Sequence, residues 1–147
     1  MKTPAIILLV EDNEADIDLT LDAFREARLD NETHVCRGGQ EALDYLFGQG
    51  DFSDRTAHPL PDFVLLDLKM PGIDGHEVLR RVKNADNLKR IPVIILTSST
   101  EEGDRALSYD NGANSYLVKP VTFDGFIEVA RKLGEYWLTL NVEPPRN

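Results

Sequence analysis

Three unbroken apolar runs constrain this chain more than anything else in it: Ile6-Ile7-Leu8-Leu9-Val10, Phe63-Val64-Leu65-Leu66 and Val93-Ile94-Ile95-Leu96. A strand with one wet face alternates apolar and polar residues. A short run that is apolar throughout and stopped by polar residues is covered on both faces, as in a parallel sheet between two layers of helix. Segments of helical period fill the gaps, with Ala15, Leu19, Ala23 and Ala27 after the first run and Val78, Leu79 and Val82 after the second. Thr33-His34-Val35-Cys36 and Ser115-Tyr116-Leu117-Val118 supply two weaker strands, and Phe123, Phe126, Ile127, Ala130, Leu133 and Trp137 mark a long last helix. The alternation predicts an α/β fold, a doubly wound parallel sheet of five strands with helices over 14–28, 39–47, 75–84, 102–111 and 122–139. The 147 residues suit one domain over 1–147, with a core over 5–135 and an extended helix and tail over 136–147. Gly48 to Pro61 is longer than the usual short connection and is a candidate contact surface.

In an open parallel sheet, ligands sit beyond the carboxyl ends of the strands, where the strand order reverses. The first strand runs into Glu11-Asp12, the third into Asp67, the fourth into Thr97-Ser98 and the fifth into Lys119-Pro120. Three acids, a hydroxyl and an amine converge. The second strand ends in Cys36-Arg37-Gly38-Gly39, with no comparable group, which fits an edge position and favours the order 2-1-3-4-5.

Three carboxylates in one crevice resist ionisation unless a cation sits among them. An all-oxygen ligand set with no histidine or cysteine suits Mg²⁺, which takes one or two carboxylates and completes its shell with water and phosphoryl oxygens. Lys119 then serves as a point charge on one phosphoryl oxygen and Thr97 as a hydroxyl donor to another, leaving Asp67 to attack phosphorus in line. The product is an aspartyl phosphate.

Four segments resemble the signatures of bacterial response-regulator receiver domains: Leu8-Leu9-Val10-Glu11-Asp12, Leu65-Leu66-Asp67-Leu68-Lys69-Met70-Pro71-Gly72-Ile73-Asp74-Gly75, Leu96-Thr97-Ser98 and Val118-Lys119-Pro120. The resemblance spans residues 5 to 135 and implies a flavodoxin-like (βα)5 sheet of order 2-1-3-4-5. It implies that Asp67 accepts phosphate from a sensor histidine kinase, and that Glu11, Asp12, Asp67 and the Lys69 backbone carbonyl hold Mg²⁺. It also implies that Thr97 and Lys119 sense the phosphoryl group, that Tyr116 is an aromatic switch, and that the Lys119–Pro120 bond is cis. Glu11 departs from the more usual aspartate, and its extra methylene makes Asp12 the more direct ligand. The insertion from Tyr45-Leu46 to Pro61-Asp62 and the ending Glu135-Tyr136-Trp137-Leu138 resemble the small response regulators that partner bacterial and cyanobacterial phytochromes, which implies a bacteriophytochrome-type kinase as partner.

Other readings of the same residues exist. Glu11, Asp12 or Asn13 can cap the first helix, Asp74 and Gly75 can start the third, and Cys36, His34, His58 and His76 read as structural. A phosphatase of the haloacid-dehalogenase kind also uses an aspartate nucleophile with Mg²⁺, but needs an acid two residues later, where this chain has Lys69. A flavin or nucleotide module on the same fold lacks its phosphate loop, since neither GxxxxGK[ST] nor GxGxxG occurs. A binding module independent of phosphorylation predicts a degraded acceptor site, whereas all five expected side chains are present. The expectation is a signalling protein rather than an enzyme.

Sixteen Lys plus Arg against 26 Asp plus Glu give a net charge of −10, which offers no basic stripe for nucleic acid or an anionic membrane. One cysteine excludes an internal disulfide, and the apolar run from Ala5 to Val10 is too short for a signal peptide or a span, so a cytoplasmic home is expected. The last helix, at ~1.5 Å per residue, is about 27 Å long and outruns a buried strand of ~17–20 Å. Its overhanging turn carries Tyr136, Trp137 and Leu138, which is the expected interface of a homodimer.

Overall fold

The computed structural model describes residues 4–29, 31–120 and 122–140, with side chains described as far as 136. The strands are β1 (Ala5–Val10), β2 (Asn31–Cys36), β3 (Phe63–Leu66), β4 (Val93–Thr97) and β5 (Ser115–Val118). The helices between and after them are α1 (Glu14–Glu26), α2 (Gly39–Phe47), α3 (Gly75–Lys83), α4 (Glu102–Asp110) and α5 (Phe123–Leu140). Every expected element is present. The largest shift in a helix limit is at α1, which stops early because Arg28 turns to φ 56° and Leu29 N–H closes back on the Phe24 carbonyl.

The sheet order is β2-β1-β3-β4-β5 and every pair is parallel. In register, Val10 stands beside Cys36 and Leu66, Leu66 beside Ile95, and Thr97 beside Val118, so the carboxyl ends of the strands form one edge. Side chains alternate across the strands. Leu8, Val10, Val64, Leu66, Val93 and Ile95 pack with Leu46 of α2 and Leu79 of α3. Ile7, Leu9, Phe63, Leu65 and Ile94 pack with Phe24 of α1 and Phe126 of α5 on the other face. Both sets need apolar residues, which is why the central strands show no alternation in sequence. Each leucine buried this completely contributes roughly 1.5–3 kcal/mol of transfer free energy.

The long connection after α2 is tied down by its own residues. Gly48 ends the helix at φ 67°, and the Arg55 guanidinium donates to the carbonyls of Tyr45 (2.7 Å), Leu46 (2.9 Å) and His58 (3.2 Å). A cation there answers the negative end of the helix dipole. A short 3₁₀ turn, Gly50–Phe52, then brings the Phe52 ring to 5.3 Å from Tyr45, and the Tyr45 hydroxyl donates to the Pro59 carbonyl at 2.8 Å. No helix among the described residues is long and apolar enough to cross a membrane.

Candidate functional site

The hydrogen-bond ladder runs one residue past each strand, and this delivers the site. Asp67 N–H donates to the Val10 carbonyl (3.0 Å), Glu11 N–H to Cys36 (3.0 Å) and Lys119 N–H to Thr97 (2.7 Å). β1 lies between β2 and β3, so its end and the end of β3 flank the point where the strand order reverses. Glu11, Asp12 and Asp67 each place a carboxylate oxygen within 4.8 Å of the others. Glu11 and Asp67 are 3% and 5% exposed, and Thr97 is fully buried.

Lys119 enters this cluster from the end of β5. Its Nζ pairs with Glu11 Oε1 at 2.5 Å, with Asp16 Oδ2 at 2.8 Å and with Asp67 Oδ2 at 3.3 Å. Burial weighs against the charge of the ammonium, but the bonds to Asp16 and Glu11 and the charge of Asp67 outweigh it, and Lys119 is held above its ordinary pKa. For Glu11 burial is the largest influence; with the charge of Asp67 it overcomes the Lys119 bond and pushes the carboxyl up from 4.5 to about 7. The donor set is all oxygen, so the residues present fit a hard divalent cation.

The competing use of these acids as a helix cap falls to Asn13, whose side chain accepts from Asp16 N–H at 3.1 Å. Glu11 and Asp12 are thereby left to the crevice. Asp74 likewise caps α3 by accepting from Glu77 N–H at 3.0 Å. Gly75 behind it does more than start a helix: a Cβ there would stand 2.3 Å from the Asp67 carbonyl oxygen, so only glycine lets α3 begin against that peptide.

Thr97 and Tyr116 meet through one residue, Ser99. Ser99 N–H donates to Thr97 Oγ1 (3.4 Å), and the hydroxyl of half-buried Tyr116 donates to the Ser99 carbonyl (2.9 Å). Lys69 N–H reaches Asp67 Oδ1 at 3.4 Å, while its side chain turns away to Asp104 at 3.0 Å. The bond to Asp104 raises the Lys69 pKa. A lysine held as a cation against Asp104 argues against the phosphatase reading, which needs a proton donor at this position.

Two expectations need amendment. The Lys119–Pro120 bond is trans, since no cis peptide occurs among the described residues; trans is the form an X–Pro amide favours by about 0.5–1 kcal/mol. Tyr136, expected on an exposed patch, is half-buried, with its ring edge-on to Phe63 at 6.2 Å and 87°. The side chains of Trp137 and Leu138 lie outside the described residues. Asp16 was not singled out in the sequence. It follows Asp12 by one helical turn, and as an ordinary first-turn acid it carries no signal of its own.

A parallel α/β sheet of order 2-1-3-4-5 with paired acids, a central aspartate, a hydroxyl and a lysine at its strand ends defines the receiver class of signalling domain. The model of the response regulator receiver domain matches residues 7–131, and the chain belongs to that family. It is 42% identical over 141 residues to the probable methanogenesis regulatory protein FilR2 of Methanothrix harundinacea (strain 6Ac), covering 96% of this chain and 88% of that protein. It is 37% identical over 135 residues to the response regulator Rcp1 of Synechocystis sp., covering 92% and 90%. The crystal structure of Mn²⁺-bound Rcp1 superposes with a TM-score of 0.84 at 36% identity, over 97% of this chain and 100% of that one. The crystal structure of the phosphorylated cyanobacterial phytochrome response regulator RcpA gives 0.87 at 36% identity, with the same coverage.

Proposed function

We infer that this receiver domain takes a phosphoryl group onto Asp67 from a sensor histidine kinase and signals through the change of surface that follows. The observation that carries the reading is the cluster of Glu11, Asp12, Asp67 and Lys119 at the switch point, with Thr97 at the end of the neighbouring strand β4. Glu11, Asp12, Asp67 and the Lys69 backbone carbonyl would hold Mg²⁺, which would supply the positive charge that offsets these acids and a phosphoryl group. Asp67 Oδ attacks phosphorus while the phosphorylated histidine of the kinase leaves, so one P–N bond breaks as one P–O bond forms. Lys119, already 3.3 Å from Asp67, balances the charge that arrives. Thr97 donates its hydroxyl to a phosphoryl oxygen, and Tyr116 follows through Ser99. The chain acts in the cytoplasm as a receiver over 1–147.

Likeness to Rcp1 and to RcpA, together with the insertion after α2, supports a phytochrome-class kinase as the partner. Incubating the protein with such a kinase, ATP and Mg²⁺ should add the mass of one phosphoryl group. Chelating the metal should abolish the gain in mass while leaving the circular dichroism of the fold unchanged. Absence of the adduct with every phosphorylated kinase tried, and with small phosphodonors, would sink the reading.

Two copies pair through the end of α5, with Trp137 and Leu138 in the contact. The length of α5 supports this: its 18 residues, about 27 Å at ~1.5 Å per residue, outrun strands of four to six residues. Sedimentation at micromolar concentration should give a dimer for the wild type and weaker association for Trp137→Ala; a wild-type monomer would exclude the pairing.

A further inference from the structure

Asp104 is the largely buried acid of α4, its side chain 13% exposed, and partners from three other segments converge on it. Its Oδ2 accepts from Ser99 Oγ at 2.7 Å, from the β4–α4 loop, and pairs with Lys69 Nζ at 3.0 Å, from the loop after β3. Its Oδ1 meets His76 Nε2 of α3 at 3.0 Å. An ionised carboxylate only accepts, so Nε2 carries the ring proton. His76 Nδ1 is the one buried side-chain polar atom among the described residues without a hydrogen-bond partner, which leaves Asp104 to set the orientation of the ring.

The arms of this cluster are the residues that touch the acceptor site. Lys69 and Ser99 each stand two places beyond a site residue and reach back to it through their amides, Lys69 to Asp67 and Ser99 to Thr97. Ser99 also holds Tyr116 through its carbonyl. One carboxylate on α4 therefore grips both loops that border the acceptor. If the Thr97 hydroxyl moves to a phosphoryl oxygen, the Ser99 amide loses its acceptor, and a Ser99 backbone that follows Thr97 draws its Oγ away from Asp104. A phosphoryl group on Asp67 also offers the Lys69 ammonium a second anion, in competition with Asp104.

We propose that Asp104 is a positioning residue that clasps Lys69, Ser99 and His76 together in the unphosphorylated protein, so that a phosphoryl group binds against the clasp. This rests on the acceptor reading of Asp67. A contact made in one state only biases the equilibrium and, by linkage, the affinity of whatever favours the other state. Loosening the clasp must therefore tighten the site for a phosphoryl group, an effect that mere loss of stability does not produce.

The probe is beryllofluoride with Mg²⁺, a phosphoryl mimic, titrated calorimetrically into the full chain. Asp104→Asn keeps the shape of the side chain and removes its charge; it should bind the mimic about tenfold tighter, within the usual span of allosteric coupling. Asp104→Glu should fall between the two. Glu77→Gln, which removes the exposed pairs of α3 with Arg80 and Arg81, should match the wild type. Without mimic, amide exchange at Ser99 and Glu101 should quicken in Asp104→Asn. A wild type that binds the mimic while Asp104→Asn binds it equally or more weakly overturns the clasp and leaves the acceptor reading standing. If wild type and Asp67→Asn respond to the mimic alike, both fall.

Discussion

Lys119→Met is expected to destabilise the metal-free protein by about 3 kcal/mol, the low end of what removing one partner from a buried ion pair costs. Methionine matches lysine in length and leaves no cavity, so the loss reports charge rather than packing. Without the ammonium, Glu11 and Asp67 face each other and Asp16 in a crevice where Glu11 already resists ionisation. The sign with pH follows. The folded Glu11 pKa, about 7 with lysine present, stands above the unfolded 4.5 and rises further in the variant. The penalty that the variant adds through Glu11 is therefore absent well below about 7, where the carboxyl is protonated in both folded proteins, and grows as pH climbs past that value. Urea midpoints at pH 5 and pH 8 should show a larger gap between variant and wild type at pH 8. Mg²⁺ at about a hundredfold its Kd adds about 2.7 kcal/mol to a protein that binds it only when folded. The variant should need less Mg²⁺ for that gain, because no resident cation competes. Equal stability at pH 8 would mean that Lys119 is not the counter-ion of the site.

Asp67→Asn should erase phosphoryl uptake altogether. An amide is a far poorer nucleophile than a carboxylate, and no other acid combines the position of Asp67 at the β3 end with contacts to Lys119 and Lys69. The fold should survive, since asparagine keeps the shape and the removal of one negative charge relieves Glu11. Kinase incubation followed by intact mass measurement should show the adduct on wild type and none on the variant at matched melting temperature. An adduct at wild-type level would move the acceptor elsewhere.

The sheet was legible because its central strands are buried on both faces, which leaves an apolar run that no surface strand has. The site was legible for a related reason: a parallel sheet brings its strand ends to one edge, so reading the residue after each run finds Glu11, Asp67, Thr97 and Lys119. Helical residues escape that logic. Asp16 and Asp104 look like ordinary first-turn acids, and only the packing of α1 and α4 turns them toward Lys119 and Lys69. The close approach at Gly75 is equally invisible, because its reason is a carbonyl oxygen on another segment. Tyr136 shows the limit of reasoning from length: the helix does outrun the sheet, yet this ring lies against Phe63. The trans Lys119–Pro120 bond is where an expectation drawn from resemblance departs from the backbone.

The central claim is that Asp67 is the phosphoryl acceptor, and borohydride trapping tests it most directly. The wild-type protein, phosphorylated in the presence of Mg²⁺, is reduced so that an acyl phosphate becomes the corresponding alcohol, then digested and sequenced by mass spectrometry. The account predicts homoserine at position 67 and at no other aspartate. Reduction at Asp12 or Asp16 with Asp67 intact, or a phosphoryl group that survives on a serine or histidine, would contradict it.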